Sequence, residues 1–117
     1  MVDIINILGA LLSIGLGAVG WFAPRYVAGA LDLETRGNST MGLSEMRAAS
    51  GALFVGFGVG ALVLGTPAAF AMVGFAWGGA AVGRMPSIIL DGAQPKKKVF
   101  FLVVEIAVAL PLLIVNL

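Results

Sequence analysis

Apolar residues fill this chain in four long blocks, separated by short polar stretches. The block over 4–22 has no charged side chain and extends about 28 Å as a helix, enough to cross a hydrocarbon core. Asp3 precedes it, where a negative charge suits a helix N-terminus, and Trp21, Phe22 and Tyr26 follow at its far end like an aromatic belt. A second block, 45–64, opens behind Ser44 as a candidate N-cap. Gly65-Thr66-Pro67 predicts a tight reversal into the third block, 68–90, where Pro86 predicts a kink or an early end. The fourth block, 99–115, is interrupted by Pro111. Short connections force neighbouring helices to run antiparallel. The expected fold is all-α: a single transmembrane domain over 1–117, an antiparallel four-helix bundle.

Two connections are polar and longer, 23–44 and 91–98. Within the first, Pro24 to Leu31 can form a short interfacial helix with Pro in its opening turn. Arg36 to Thr40 predicts a loop. These two connections hold Arg25, Arg36, Lys96, Lys97 and Lys98, whereas the opposite side has neither Lys nor Arg. The positive-inside rule therefore puts both connections in the cytoplasm and both termini on the periplasmic side.

Composition narrows the chemistry. Hydrophobic residues make up 60% and charged ones only 11%, with a mean hydropathy of +1.06. There is no Cys and no His, which removes thiolate nucleophiles, iron–sulfur ligation, His-bound haem and the usual zinc sites. No cofactor or metal is expected. The first block lacks a basic lead-in and a clear small-residue cleavage site, so it is expected to be retained as a span rather than removed as a signal.

Small residues recur four apart: Gly9, Ser13 and Gly17 in the first span, Ala52, Gly56 and Gly60 in the second. The third has two such rows, Gly74 with Gly78 and Gly79 with Gly83. Such rows let helix backbones approach closely, and they serve packing inside the bundle as well as contact with a partner. Two rows on different faces of one span leave some surface to spare.

Four charged residues enter the apolar blocks. Glu45 and Arg47 open the second span, Arg84 lies about 9 Å before the end of the third, and Glu105 lies about 10 Å into the fourth. Alternating helix directions bring all four to the same half of the bundle. An unpaired charge there costs roughly 2.5–3.5 kcal/mol at mid-bilayer, and Glu105 cannot snorkel far on its short stem. Arg84 is its expected partner by depth. Glu45 and Arg47, two residues apart, are expected to serve different neighbours. The bland alternative is that these charges only fix helix register or reach headgroups.

With Glu45-x-Arg47 opening the second span, Arg84 late in the third and Glu105 in the fourth, the chain resembles a family of small uncharacterised bacterial four-helix membrane proteins. It is distantly similar to DoxX-like proteins in size and span number. The resemblance covers the chain from about Leu43 onward, and it implies a four-helix architecture in the bacterial inner membrane with no established activity. DoxX-like proteins are associated with quinone-linked redox systems, but this chain offers no redox ligands. Small multidrug transporters are similar in length yet depend on a Glu within the first span, which is missing here.

Enzyme activity is not expected, since no nucleophile–base pair or phosphate-cradling loop is present. No basic–aromatic surface points to nucleic acid. The leading expectation is an accessory subunit that packs against another integral membrane protein, a copy of itself, or membrane lipid. One alternative is a small-solute or proton-coupled transporter built on Glu45, Arg47, Arg84 and Glu105. Another is a protein that binds lipid or an apolar ligand.

Overall fold

A computed structural model describes residues 2–117, with side chains from Asp3 onward. It has five helices: α1 (Val2–Phe22), α2 (Pro24–Ala30), α3 (Met41–Leu64), α4 (Pro67–Leu90) and α5 (Pro95–Asn116). No strand occurs among the described residues. All of these helices except α2 are long and apolar enough to cross a membrane.

Local chemistry explains the boundaries. Gly65 takes a left-handed φ of +66° and closes α3, and Thr66 then caps α4 by accepting from the Ala69 amide at 3.2 Å. Pro67 and Pro95 occupy first turns, where a missing N–H is harmless. Two expected starts are corrected. Helix α3 begins at Met41 rather than behind Ser44, because the Ser39 hydroxyl accepts from the Met41 amide and ends the loop four residues sooner. Helix α5 begins at Pro95, after Gln94 turns left-handed at φ +50°, so Lys96, Lys97 and Lys98 lie in its opening turns rather than in a loop.

Neither internal proline ends its helix. Helix α4 runs through Pro86 to Leu90, and α5 runs through Pro111 to Asn116. Both prolines sit on exposed faces, where each helix can give up one backbone hydrogen bond without disturbing a neighbour.

Packing joins α1 to α3 and α4 to α5 most extensively, with α1 also lying along α5 and α3 along α4. The contacting residues show that these pairs run antiparallel: Gly20 lies against Ser50 while Gly58 lies against Ala10, and Gly74 lies against Leu113 while Arg84 reaches Glu105. Ala10, Val73, Trp77, Val108 and Leu112 form the middle of the buried core. The Cα trace measures 47 × 30 × 16 Å, a flattened cross-section in which every helix keeps one broad face uncovered. Ile4, Phe22, Val63, Ile89, Phe100 and Ile114 stand exposed on those faces. Apolar surface on this scale suits a lipid solvent better than water.

One segment departs from α geometry. Residues Ala48–Ala52 in α3 form a π-turn made of small residues, and it sits against the last turns of α1. A methyl group on Gly20 would strike the Ser50 carbonyl, and one on Gly51 would strike the Gly20–Trp21 peptide. The two backbones therefore touch here, an approach only glycine permits.

Candidate functional site

Arg84 and Glu105 meet between α4 and α5. The guanidinium donates from Nε to Oε1 at 2.6 Å and from Nη2 to Oε2 at 2.9 Å, a fork-to-fork pair. Glu105 is buried, with its side chain 8% exposed, and Arg84 keeps 29%. The Phe101 ring lies 5.4 Å from the Arg84 guanidinium carbon, adding a cation–π contact. Both carboxylate oxygens are thus satisfied, and the charge is neutralised where it would otherwise be costly.

Arg47 and Glu45 stand apart from that pair. Arg47 donates from Nη1 to the Trp21 carbonyl at 2.8 Å, answering one of the carbonyls that the end of α1 leaves without a helical partner. Glu45 is exposed on α3. The structure therefore divides the four charges: Arg84 joins Glu105, Arg47 joins the end of α1, and Glu45 joins neither group. Of the four residues expected together, side-chain hydrogen bonds join only Arg84 and Glu105 to each other. All four lie in the half of the molecule that carries the long connections, but they sit at different angles around their helices.

Two further polar contacts tie the helices together. Ser13, fully buried on α1, accepts from the Trp77 indole at 3.0 Å and donates to the Phe54 carbonyl at 2.8 Å, so one hydroxyl joins α1, α3 and α4. Near the chain ends, Asn6 and Asn116 exchange amide hydrogen bonds at 3.1 and 2.6 Å, joining α1 to α5. At the opposite end, Lys97 in the opening turn of α5 pairs with Asp32 of the 23–44 connection at 2.8 Å. That pair is solvent-exposed and contributes little stability.

The small-residue rows separate into packed and open faces. Gly9 meets Leu112, Gly17 meets the Gly51 carbonyl, and Gly74 meets Leu113, all close enough that a Cβ would clash. Gly78 is in ordinary contact with Ala109. Gly56, Gly60, Gly79 and Gly83 face open space, with nothing within 4 Å of where a Cβ would sit, so the row expected to pack the second span faces outward. The packed face of α3 carries Gly51, Gly58 and Ala61 instead. Gly56 and Gly60 line an apolar groove of about 420 Å³ between α3 and α4, together with Leu53, Phe57, Leu64 and Met72. A second cleft, about 580 Å³, opens beside Trp21 and Arg47.

A family model described as a domain of unknown function (DUF4345) matches residues 1–116. The chain belongs to the DUF4345 family. No curated protein and no solved structure matches it.

In this DUF4345 chain, sequence reasoning overlooked Gly20, Gly51 and Gly58, whose backbones make the α1–α3 contact. A signal was available: Gly51 and Gly58 are seven apart, two helical turns on one face. It also passed over Asn6, near the start of the first apolar block, and Asn116, just past the end of the fourth, where an unpaired amide would be costly. The π-turn has no signal beyond its run of small residues.

Proposed function

We propose that this chain is a non-enzymatic integral membrane protein, crossing the bacterial inner membrane four times as an antiparallel bundle and serving as an accessory subunit packed against another membrane protein. The observation that carries this reading is the open pair of small-residue faces, Gly56/Gly60 on α3 and Gly79/Gly83 on α4. Glycines that the bundle does not use for its own packing offer a partner helix close backbone approach. The Gly56/Gly60 face also borders the apolar groove between α3 and α4, a ready seat for an apolar helix. The distant likeness to DoxX-like proteins in size and span number is in keeping with this membrane role.

Under the same reading, the 23–44 and 91–98 connections face the cytoplasm and both termini face the periplasm. The support is the charge asymmetry: Arg25, Arg36, Lys96, Lys97 and Lys98 all lie at one end. The transporter alternative has weaker support, because Arg84 and Glu105 neutralise each other and Arg47 is engaged with Trp21. A lipid or apolar-ligand role has one observation in its favour, the apolar lining of the α3–α4 groove.

Blue-native electrophoresis after gentle extraction tests the accessory role. A discrete species heavier than the single chain is expected, and Gly60→Leu, which fills the groove, should return it to the single-chain position. A strictly monomeric, partner-free chain in the native membrane extract overturns the association. Loss of transport or ligand binding in a folded Glu105→Gln variant would instead favour the transporter.

A further inference from the structure

Helix α3 starts beside the last turn of α1 and leaves a cleft of about 580 Å³ at the end that carries the long connections. Thr40, Leu43, Ser44, Arg47 and Ala48 line it, a set that follows one face of the helix at three- and four-residue steps. The lining is divided in character. Leu43, Ala48 and Ala52 contribute apolar side chains, and Thr40, Ser44 and Arg47 contribute two hydroxyls and a guanidinium. Arg47 is anchored by the hydrogen bond from Nη1 to the Trp21 carbonyl, which holds the planar group at the cleft while its remaining N–H donors stay available. The Thr40 hydroxyl is also free of helix capping. Glu45, the neighbouring carboxylate, is not part of the lining and lies about 200° around the helix from Arg47.

The position of the cleft matches this chemistry. Trp21 forms one side of it and stacks on Phe22 with ring centroids 4.6 Å apart, an aromatic pair at the end of an apolar helix. Amphipathic rings at such a place mark the headgroup level of a bilayer. Arg25, Arg36, Lys96, Lys97 and Lys98 lie at the same end but are largely offset by Asp32, Glu34, Glu45 and Asp91, so the positive charge in the cleft is that of Arg47. A phosphodiester presents two non-bridging oxygens that suit a guanidinium fork and two hydroxyl donors, with acyl chains leaving over the apolar side chains beside them.

We infer that the cleft formed by Trp21, Thr40, Ser44 and Arg47 seats the phosphodiester headgroup of an anionic phospholipid. This inference rests on the membrane reading above and is independent of whether a protein partner binds the α3–α4 groove.

The test titrates the full chain in neutral detergent micelles with short-chain phosphatidylglycerol, short-chain phosphatidylcholine and inorganic phosphate, and follows the backbone amides by NMR. Phosphatidylglycerol is expected to give saturable shifts centred on Thr40, Ser44 and Arg47. Ser44→Asp puts a negative charge in the cleft, three residues before Arg47 where it competes for the guanidinium, and should weaken binding about tenfold or more. Arg47→Lys, which keeps the charge but loses the planar fork, should also weaken it. Lys96→Ala, outside the cleft, should leave it unchanged. Equal binding of phosphatidylcholine overturns the anionic preference. Equal shifts from inorganic phosphate at the same concentration overturn the lipid assignment, and indifference to both Ser44→Asp and Arg47→Lys overturns the site. A partner-free chain that still binds phosphatidylglycerol would sink only the accessory role, whereas a chain held in a complex but giving no shifts would sink only this site.

Discussion

Arg84 and Glu105 hold each other through two parallel hydrogen bonds, 2.6 and 2.9 Å long, across the α4–α5 contact. Neither partner is replaceable alone, since each neutralises a charge that its surroundings would otherwise solvate poorly. Glu105→Leu strands the guanidinium, and the expected loss is about 3–5 kcal/mol. Replacing both groups, Arg84→Met with Glu105→Leu, removes the charges together and should recover most of that loss. Reversible unfolding in mixed micelles gives the four stabilities of the cycle. Additive losses in the double variant would show that the pair is not energetically coupled.

The glycines divide by what lies opposite them, and one substitution in each group separates the two. Gly20→Ala drives a methyl group into the Ser50 carbonyl, a backbone atom that cannot swing aside. Separating α1 from α3 should destabilise the isolated chain by roughly 1–3 kcal/mol. Gly83→Ala meets open space within a helix, so it should be neutral or raise stability by up to about 1 kcal/mol through the lost freedom of the unfolded chain. Thermal unfolding of the two variants in the same detergent checks the contrast. A Gly20→Ala chain as stable as the parent would refute the close α1–α3 approach.

Ser13 sits where three helices meet, and its hydroxyl both accepts from Trp77 and donates to the Phe54 carbonyl. Ser13→Ala leaves the buried indole N–H without its partner, at a cost of about 1–3 kcal/mol. Trp77→Phe in the Ser13→Ala background removes the stranded donor, so the second substitution should cost less there than in the parent chain. Trp77 fluorescence, read in a Trp21→Phe background, provides an independent measure, because loss of the hydrogen bond alters the environment of the indole. An unchanged Trp77 spectrum in Ser13→Ala would argue that the bond is not formed in the membrane.

Much of this fold was legible because long apolar helices leave so plain a mark on a sequence. Four apolar blocks of membrane-spanning length, with Gly65-Thr66-Pro67 between two of them, leave little choice of element type. Depth was legible as well: counting residues at a fixed rise put Arg84 and Glu105 at one level, and they do meet. Angle around the helix was not. Arg47 lies in the same half of the molecule but turns toward the end of α1, and Gly56 and Gly60 turn outward while Gly51 and Gly58 turn in. In a soluble helix the polar face reveals which side is buried. In α3 nearly every face is apolar, so small-residue spacing alone could not choose between the two rows. The exposed prolines escaped for a related reason, since their effect depends on whether the lost hydrogen bond faces a neighbour.

Orientation across the membrane can be tested directly, because the sequence contains no cysteine and any introduced thiol is unique. Asn38 lies exposed in the connection between α2 and α3, and Ala68 lies exposed in the first turn of α4 at the other end of the molecule. With Arg25, Arg36, Lys96, Lys97 and Lys98 all at the Asn38 end, that end should stay in the cytoplasm. A membrane-impermeant maleimide added to intact spheroplasts should therefore label Ala68→Cys and spare Asn38→Cys, and lysis should make both react. Labelling of Asn38→Cys before lysis would invert the topology. It would also move the Arg47 cleft to the outer leaflet, where anionic lipid is scarcer and a basic headgroup site has less to bind.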